Sequence, residues 1–406
     1  MAEPTRRRFL QVAAAAFSYV PAAALGRDGA VPASDRIGLG HIGIGRRGSQ
    51  LMRGPSGSVS IAVADVYEKR FERVKGTKIA CYKDYRRLLD RKDIDAVTVG
   101  TPDHWHTACS LHAAEAGKDV YCEKPLTLTI REGRMLVEAV RRYGRVFQTG
   151  SQQRSSAACR VGCELVRSGR AGKIHTVHGH CYPSPWECDL GAQPVPPGLN
   201  WDMWLGQTSY RPYNRDIYLP RARPGWISFR PWSGGEMTGW GAHGLDIIQW
   251  GLGMDGSGPV EAWADSRDIR SPVHFRYASG VVVHLDQRGV RGGGIFVGTE
   301  GKITVDRGYY RCDPPEIGRE PIKPSEVHLY FSNNHMENWG QCIRTRKMPI
   351  CDVEIGHRSC TVCHLGNIAR WCAPRRLRWD PEKEEFLGDE EANRYVSRAM
   401  RAPYCI

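Results

Sequence analysis

The feature that most narrows the fold is a glycine triplet set between an apolar strand and a helix. The run Arg36-Ile37-Gly38-Leu39-Gly40-His41-Ile42 is short, apolar and bounded by turn residues, so it reads as a buried strand. Gly43-Ile44-Gly45-Arg46-Arg47-Gly48 follows, and Ser49-Gln50-Leu51-Met52 opens a helix. This is the dinucleotide-binding pattern in its required context. Gly43 allows the tight turn, Gly45 lets the backbone approach a pyrophosphate, and Gly48 permits close helix–strand packing. The helix start adds partial positive charge, and Arg46 and Arg47 lie within the loop. An overlapping match on Gly38, Gly40 and Gly43 fits less well, because the apolar strand runs through Ile42. A second strand, Val59 to Asp65, ends in an acid 22 residues after Gly43. The expected spacing is about 20. A carboxylate there hydrogen-bonds a ribose diol and repels a 2′-phosphate, so NAD is the expected cofactor. Arg70 nearby leaves NADP open.

The strand–helix alternation continues. Tyr85–Asp90 reads as a helix and Ala96–Gly100 as a buried strand ending at Thr101-Pro102-Asp103-His104-Trp105-His106. A helix through Cys109, Leu111 and Ala114 stops near Gly117. The strand Asp119–Cys122 then runs into Glu123-Lys124-Pro125. Another helix, Ile130–Tyr143, leads to the strand Val146–Gly150. Alternation of this kind predicts a doubly wound parallel sheet, an α/β Rossmann domain. Ligands of such sheets lie outside the carboxyl ends of the strands. Thr101, Pro102, His104, His106, Glu123 and Lys124 are therefore expected at the cofactor, near the nicotinamide. After Ser155 the strand-like runs Ile174–His180, Val260–Asp265, Val281–Asp286 and Ile303–Val305 are separated by Gly- and Pro-rich loops without long helices. That is α+β organisation. The expected division is a signal and linker over 1–33, a nucleotide-binding domain over 34–155 and a second domain over 156–406.

The N-terminus reads Thr5-Arg6-Arg7-Arg8-Phe9-Leu10, then an Ala-rich apolar run and the small residues Ala22-Ala23-Ala24. It resembles a twin-arginine export signal, which predicts a periplasmic protein. No later stretch approaches the roughly 18 apolar residues of a bilayer span. The net charge of +13 is dispersed, without nucleic-acid-binding motifs, and reads as a solvated basic surface with no nucleic-acid partner. Fourteen cysteines are scattered rather than spaced as a disulfide framework. Cys360-Thr361-Val362-Cys363-His364 matches a haem-attachment pattern, but His357–Trp371 reads as one continuous helix with the cysteines as small apolar residues. No metal site is expected.

Gly43-x-Gly45-x-x-Gly48, Thr101 to His106 and Glu123-Lys124-Pro125 together resemble the Gfo/Idh/MocA oxidoreductases. The resemblance continues through Trp201-Asp202-x-Trp204-Leu205-Gly206, Gly234-Gly235 to Asp246, and Glu354 to Ser359. It implies an open, mostly antiparallel C-terminal sheet that carries substrate and oligomerisation surfaces, and a homo-oligomer. It also implies hydride transfer between a tightly held nicotinamide and a ring hydroxyl of a sugar, glycoside or cyclitol. Lys124 matches the family's catalytic lysine. His243 is the expected base. Sugar-oxidising relatives carry Asp four residues before that histidine, whereas position 239 here is Gly. Asp246, three residues on, is the expected substitute that orients His243.

Trp105, His180, Tyr182 and Trp240 are candidate substrate contacts. The stretch from Trp186 to Trp240 is rich in Trp, Tyr, Arg and Pro, and aromatic faces stack on sugar rings. A buried aromatic core beneath a long loop is the competing reading of those tryptophans. Two further functions compete with simple dehydrogenation. One is glycoside cleavage by transient oxidation and elimination, against which Lys124 argues. The other is a non-catalytic binding protein with a vestigial cofactor fold, supported only by Gly239.

Overall fold

A computed structural model describes Pro32, residues 35–219 and residues 224–406. The expected export signal lies outside the described residues. Six parallel strands form the first sheet: β1 (Ile37–Ile42), β2 (Ser58–Ala64), β3 (Ala80–Tyr82), β4 (Ala96–Val99), β5 (Asp119–Cys122) and β6 (Phe147–Thr149). Their order is β3-β2-β1-β4-β5-β6. The strand order reverses between β1 and β4, which opens a crevice at their carboxyl ends. β1, β4, β5 and β6 are buried along their whole length, as expected of strands covered on both faces.

The second sheet has nine strands. They are β7 (Ile174–His180), β8 (Glu261–Ala264), β9 (Val273–Arg276), β10 (Val282–Asp286), β11 (Gly294–Gly298), β12 (Lys302–Asp306), β13 (Tyr309–Asp313), β14 (Leu377–Asp380) and β15 (Glu385–Phe386). The order is β13-β12-β11-β7-β10-β9-β8-β14-β15, antiparallel except where β7 pairs with β10. The helices Ala157–Arg167, Gly241–Leu252 and Val353–Trp371 pack on this sheet. The alternating burial of β8, β9 and β10 shows that one sheet face meets the core. Gly241–Leu252 is a long helix between β7 and β8, where the sequence suggested loops alone. Its Gly-rich opening hides it from propensity, yet almost every residue of it is buried. Helix Val353–Trp371 also packs on helix Ile130–Arg142 and on β6, and so ties the two units together. Cys360 and Cys363 are buried within it, which fits their reading as small core residues.

The aromatic stretch forms a core of its own. Trp201, Trp204, Phe229 and Trp232 are buried together with Leu205 and Ile217. This cluster docks on the segment after β2. The Asn200 N–H donates to the Val66 carbonyl, and the Glu68 N–H donates to that of Gly198. Trp201 and Trp232 therefore serve packing rather than ligand stacking. Among the described residues no helix is long and apolar enough to cross a membrane.

Candidate active site

A cavity of about 740 Å³ runs along the strand ends and beneath the second unit. One wall is the glycine loop. Gly43 has φ +76°, a backbone region open chiefly to glycine. A Cβ at Gly48 would stand 1.7 Å from the Gly43 carbonyl oxygen. Both glycines are therefore required by the close return of the loop on itself. The following helix is a single turn, Gly48–Leu51, so few aligned peptides contribute a dipole. Arg46 and Arg47 line the cavity and carry the positive charge instead.

At one end, the Asp65 carboxylate accepts from the Ile44 N–H at 2.9 Å and the Tyr67 N–H at 3.0 Å. Arg70 Nη1 lies 3.2 Å from the same carboxylate, and Arg70 Nη2 donates to the Tyr218 hydroxyl. Arg70 is thus held between an acid and a phenol. That engagement favours a ribose diol over a 2′-phosphate here. In the middle, Arg47 Nε donates to Glu123 Oε1 at 2.8 Å, joining the glycine loop to the end of β5.

At the other end, Lys124 Nζ donates to the Gly239 carbonyl at 2.7 Å. The next residue, Trp240, packs its ring edge-on to His243 with centroids 5.9 Å apart. Lys124, Trp240 and His243 all line the cavity. Thr101, Pro102, Trp105 and His106 line it too. The His106 ring spans the carbonyls of Thr101 and Pro125 at 3.0 and 2.9 Å, and so braces the loop that carries Lys124.

Three expectations need correction. Asp246 does not orient His243. Its carboxylate accepts from Arg154 Nε and Nη2 at 2.9 Å and from Ser359 Oγ at 2.7 Å, wholly buried. A buried guanidinium must be paired, and Asp246 pairs it. His104 does not face the cofactor. It is fully buried, with Nε2 2.8 Å from the Trp204 carbonyl oxygen, and burial lowers its pKa to about 3. It wedges the aromatic cluster against the first unit. His180 and Tyr182 do not line the cavity. The Tyr182 hydroxyl donates to the Arg291 carbonyl and lies against Gly244, so it supports the helix start that carries His243.

The sequence reading missed Gln152, Gln153, Ser156, Tyr218 and Arg307, which also line the cavity, as does Trp226 of the aromatic stretch. Gln152, Gln153 and Ser156 follow β6 directly, and the rule that ligands gather at strand ends covers that place. Nothing in the sequence alone aims Tyr218 or Arg307 at the cleft.

Fold and site together define a two-unit oxidoreductase architecture, with a dinucleotide cradle facing a second sheet. Residues 37–151 match the description "Oxidoreductase family, NAD-binding Rossmann fold", and residues 173–406 match "Oxidoreductase family, C-terminal alpha/beta domain". The chain belongs to the Gfo/Idh/MocA oxidoreductase family. It is 28% identical over 255 residues to levoglucosan dehydrogenase of Pseudarthrobacter phenanthrenivorans, covering 58% of this chain and 60% of that one. It is 30% identical over 145 residues to myo-inositol 2-dehydrogenase of Thermotoga maritima, covering 34% and 43%. The chain thus spans less than two thirds of the curated relatives it matches. Among solved structures, the WlbA dehydrogenase of Bordetella pertussis, in complex with NADH and UDP-GlcNAcA, superposes with a TM-score of 0.62 at 17% identity. That match covers 85% of this chain and 99% of the other. Levoglucosan dehydrogenase in complex with NADH gives 0.55 at 18%, covering 83% and 97%. These structural likenesses are likenesses of fold.

Proposed function

We propose that the protein is an NAD-dependent dehydrogenase acting on a ring hydroxyl of a sugar or cyclitol. The observation that carries this is the position of Lys124. Its ammonium group stands between the glycine-loop cradle and the His243 wall, within one cavity. The bound nicotinamide supplies the chemistry of accepting or returning a hydride. The chain's residues do the rest. Lys124 places a cation beside the reacting hydroxyl, where it stabilises developing alkoxide charge. His243 lies within reach of the same space and takes the hydroxyl proton. Trp105 and Trp240 line the cleft beside them and offer aromatic faces to the ring.

Gly239, the departure from the relatives' pattern, gives its carbonyl to Lys124 and so holds the lysine over the cleft. That arrangement supports an active enzyme over a vestigial fold. The likeness to a levoglucosan dehydrogenase and a myo-inositol 2-dehydrogenase supports a polyhydroxylated ring as substrate. The test is growth of the reduced-nicotinamide absorbance when protein and NAD meet a panel of pyranoses, anhydrosugars and inositols. At least one should react, with NAD preferred to NADP. Failure of every ring, with NADH shown to bind, would overturn the reading.

Export through the twin-arginine route is the companion proposal, supported by the Thr5-Arg6-Arg7-Arg8-Phe9-Leu10 pattern. Arg6→Lys with Arg7→Lys should retain the precursor in the cytoplasm. Unchanged periplasmic yield would refute it.

A further inference from the structure

Two arginines gather on the ring of Trp240, which lines the cavity beside Arg307. The guanidinium carbon of Arg291 lies 4.4 Å from the centre of the Trp240 ring, and that of Arg307 lies 4.5 Å from it. Both residues are exposed to solvent, and Arg307 lines the cavity. Among the described residues neither forms an ion pair with a carboxylate. Arg307 Nε donates to the neutral amide oxygen of Gln153 at 2.8 Å. Asp306 is the adjacent acid, but its Oδ1 is occupied by the N–H groups of Gly292 and Arg307.

The pair is held in place by a frame of hydrogen bonds. Gln153 Nε2 donates to the Gly292 carbonyl, and the Tyr182 hydroxyl donates to that of Arg291. Arg307 sits at the two-residue turn between β12 and β13, beside Gly308 with φ +88°. Burial, reinforced by Arg291, lowers the Arg307 pKa, while Asp306 among others opposes the shift. Two like charges on one aromatic ring repel each other, and an anion bound near both offsets that repulsion.

The ring that gathers them adjoins the chemistry. Trp240 follows Gly239, whose carbonyl anchors Lys124, and it touches His243. From these contacts we infer that the substrate is an acidic ring polyol. Its carboxylate or phosphate group is bound by Arg291 and Arg307 while its reacting hydroxyl meets Lys124 and His243. The inference rests on the dehydrogenase reading and names its substrate class. Trp240 then acts as the platform for two guanidiniums, rather than as a bare stacking face for a neutral sugar. Arg is suited to this because its fork of donors matches the geometry of either oxyanion.

The experiment uses the NADH-loaded full chain and matched ligands measured by titration calorimetry. D-glucose is compared with D-glucuronate and D-glucose 6-phosphate, and D-galactose with D-galacturonate and D-galactose 6-phosphate. An acidic member should bind at least about tenfold more tightly than its neutral twin, the size expected of a charge-assisted pair. Raised salt should erode that preference. A uronate preference assigns the carboxylate, and a phosphate preference assigns the phosphate ester. The double variant Arg291→Gln with Arg307→Gln should abolish the preference, with affinity for NADH and for the neutral twin unchanged. Unchanged NADH affinity also certifies that the variant is folded. Neutral rings binding as tightly as acidic ones, no acidic ring binding at all, or a preference that survives the double substitution would each overturn the inference. In the first case, turnover of neutral rings would leave the dehydrogenase reading intact while this one falls. Loss of NADH binding by the unmodified protein would bring both down.

Discussion

Lys124→Ala lowers kcat by about 10³-fold or more while NADH affinity stays within about threefold of the parent. The magnitude follows from what the residue does. Its ammonium group is the cation that the β5 strand end brings to the chemical end of the cavity, and it is fixed by the Gly239 carbonyl. A group that stabilises charge or moves a proton in the transition state contributes about 10²–10⁴-fold. The residues proposed to hold the cofactor lie elsewhere: the glycine loop, Arg47 held on Glu123, and Asp65. Binding and turnover should therefore separate cleanly. Lys124→Arg sharpens the result. It retains the cation but cannot release its proton near neutral pH. If charge alone matters, part of the rate returns. If the lysine also carries a proton, the rate remains low. Stopped-flow reduction of NAD with the best ring substrate, beside NADH titration by fluorescence, measures both quantities. A loss below about tenfold in the alanine variant would remove Lys124 from the chemistry.

The first sheet was readable because its strands are buried on both faces. Continuous apolar runs, each followed by turn residues, leave little choice between strand and loop, and β1, β4 and β5 lie where those runs do. β3 escaped notice because it is a three-residue edge strand that is nowhere fully buried. In the second sheet, β7 shows clear alternation, whereas β9, β11 and β13 lie beside Gly, Pro or charged residues and are fixed by their neighbours across the sheet. Site residues followed the same division. Gly43, Asp65 and Lys124 are tied to strand ends, so their place could be argued from the chain. Asp246 shows where such argument stops. Helical spacing places it within a turn of His243, but it says nothing of Arg154, 92 residues earlier, which claims the carboxylate. Arg291 and Arg307 are invisible for a similar reason. Each lies in a connection whose direction is set by hydrogen bonds to remote backbone carbonyls and side chains.

Stability should fall steeply as pH drops below about 6.5, the unperturbed pKa of histidine. Burial lowers the imidazole pKa to about 4 in His41, His335 and His364, and to about 3 in His104. All are nearly inaccessible to solvent. Each is held by neutral partners: His41 by the Thr98 and Ser60 hydroxyls, His104 by the Trp204 carbonyl, His335 by the Thr149 carbonyl, and His364 by that of Thr127. In the unfolded chain they protonate near pH 6.5, whereas in the fold they do not until about pH 4 or lower. The unfolded state therefore binds more protons across that window. Stability is full above pH 6.5 and is lost as the pH falls towards 4. One such group costs about 1.4 kcal/mol per pH unit, and the four together about 5. A whole domain has only about 5–15 kcal/mol to lose. Glu132 and Asp246 work in the opposite direction. Burial raises both carboxyl pKa values, against the pull of Arg398 and Arg154 respectively. Their contribution is present at low pH and fades as pH rises, which offsets part of the histidine term. Urea denaturation midpoints at about pH 7.5 and about pH 5.5 should differ strongly. His364→Gln, which deletes one of these titrations, should flatten the slope by up to about 1.4 kcal/mol per pH unit. Equal midpoints at the two pH values would show that these imidazoles are not held neutral, and with that the buried histidine wedge between the two units would lose its physical basis.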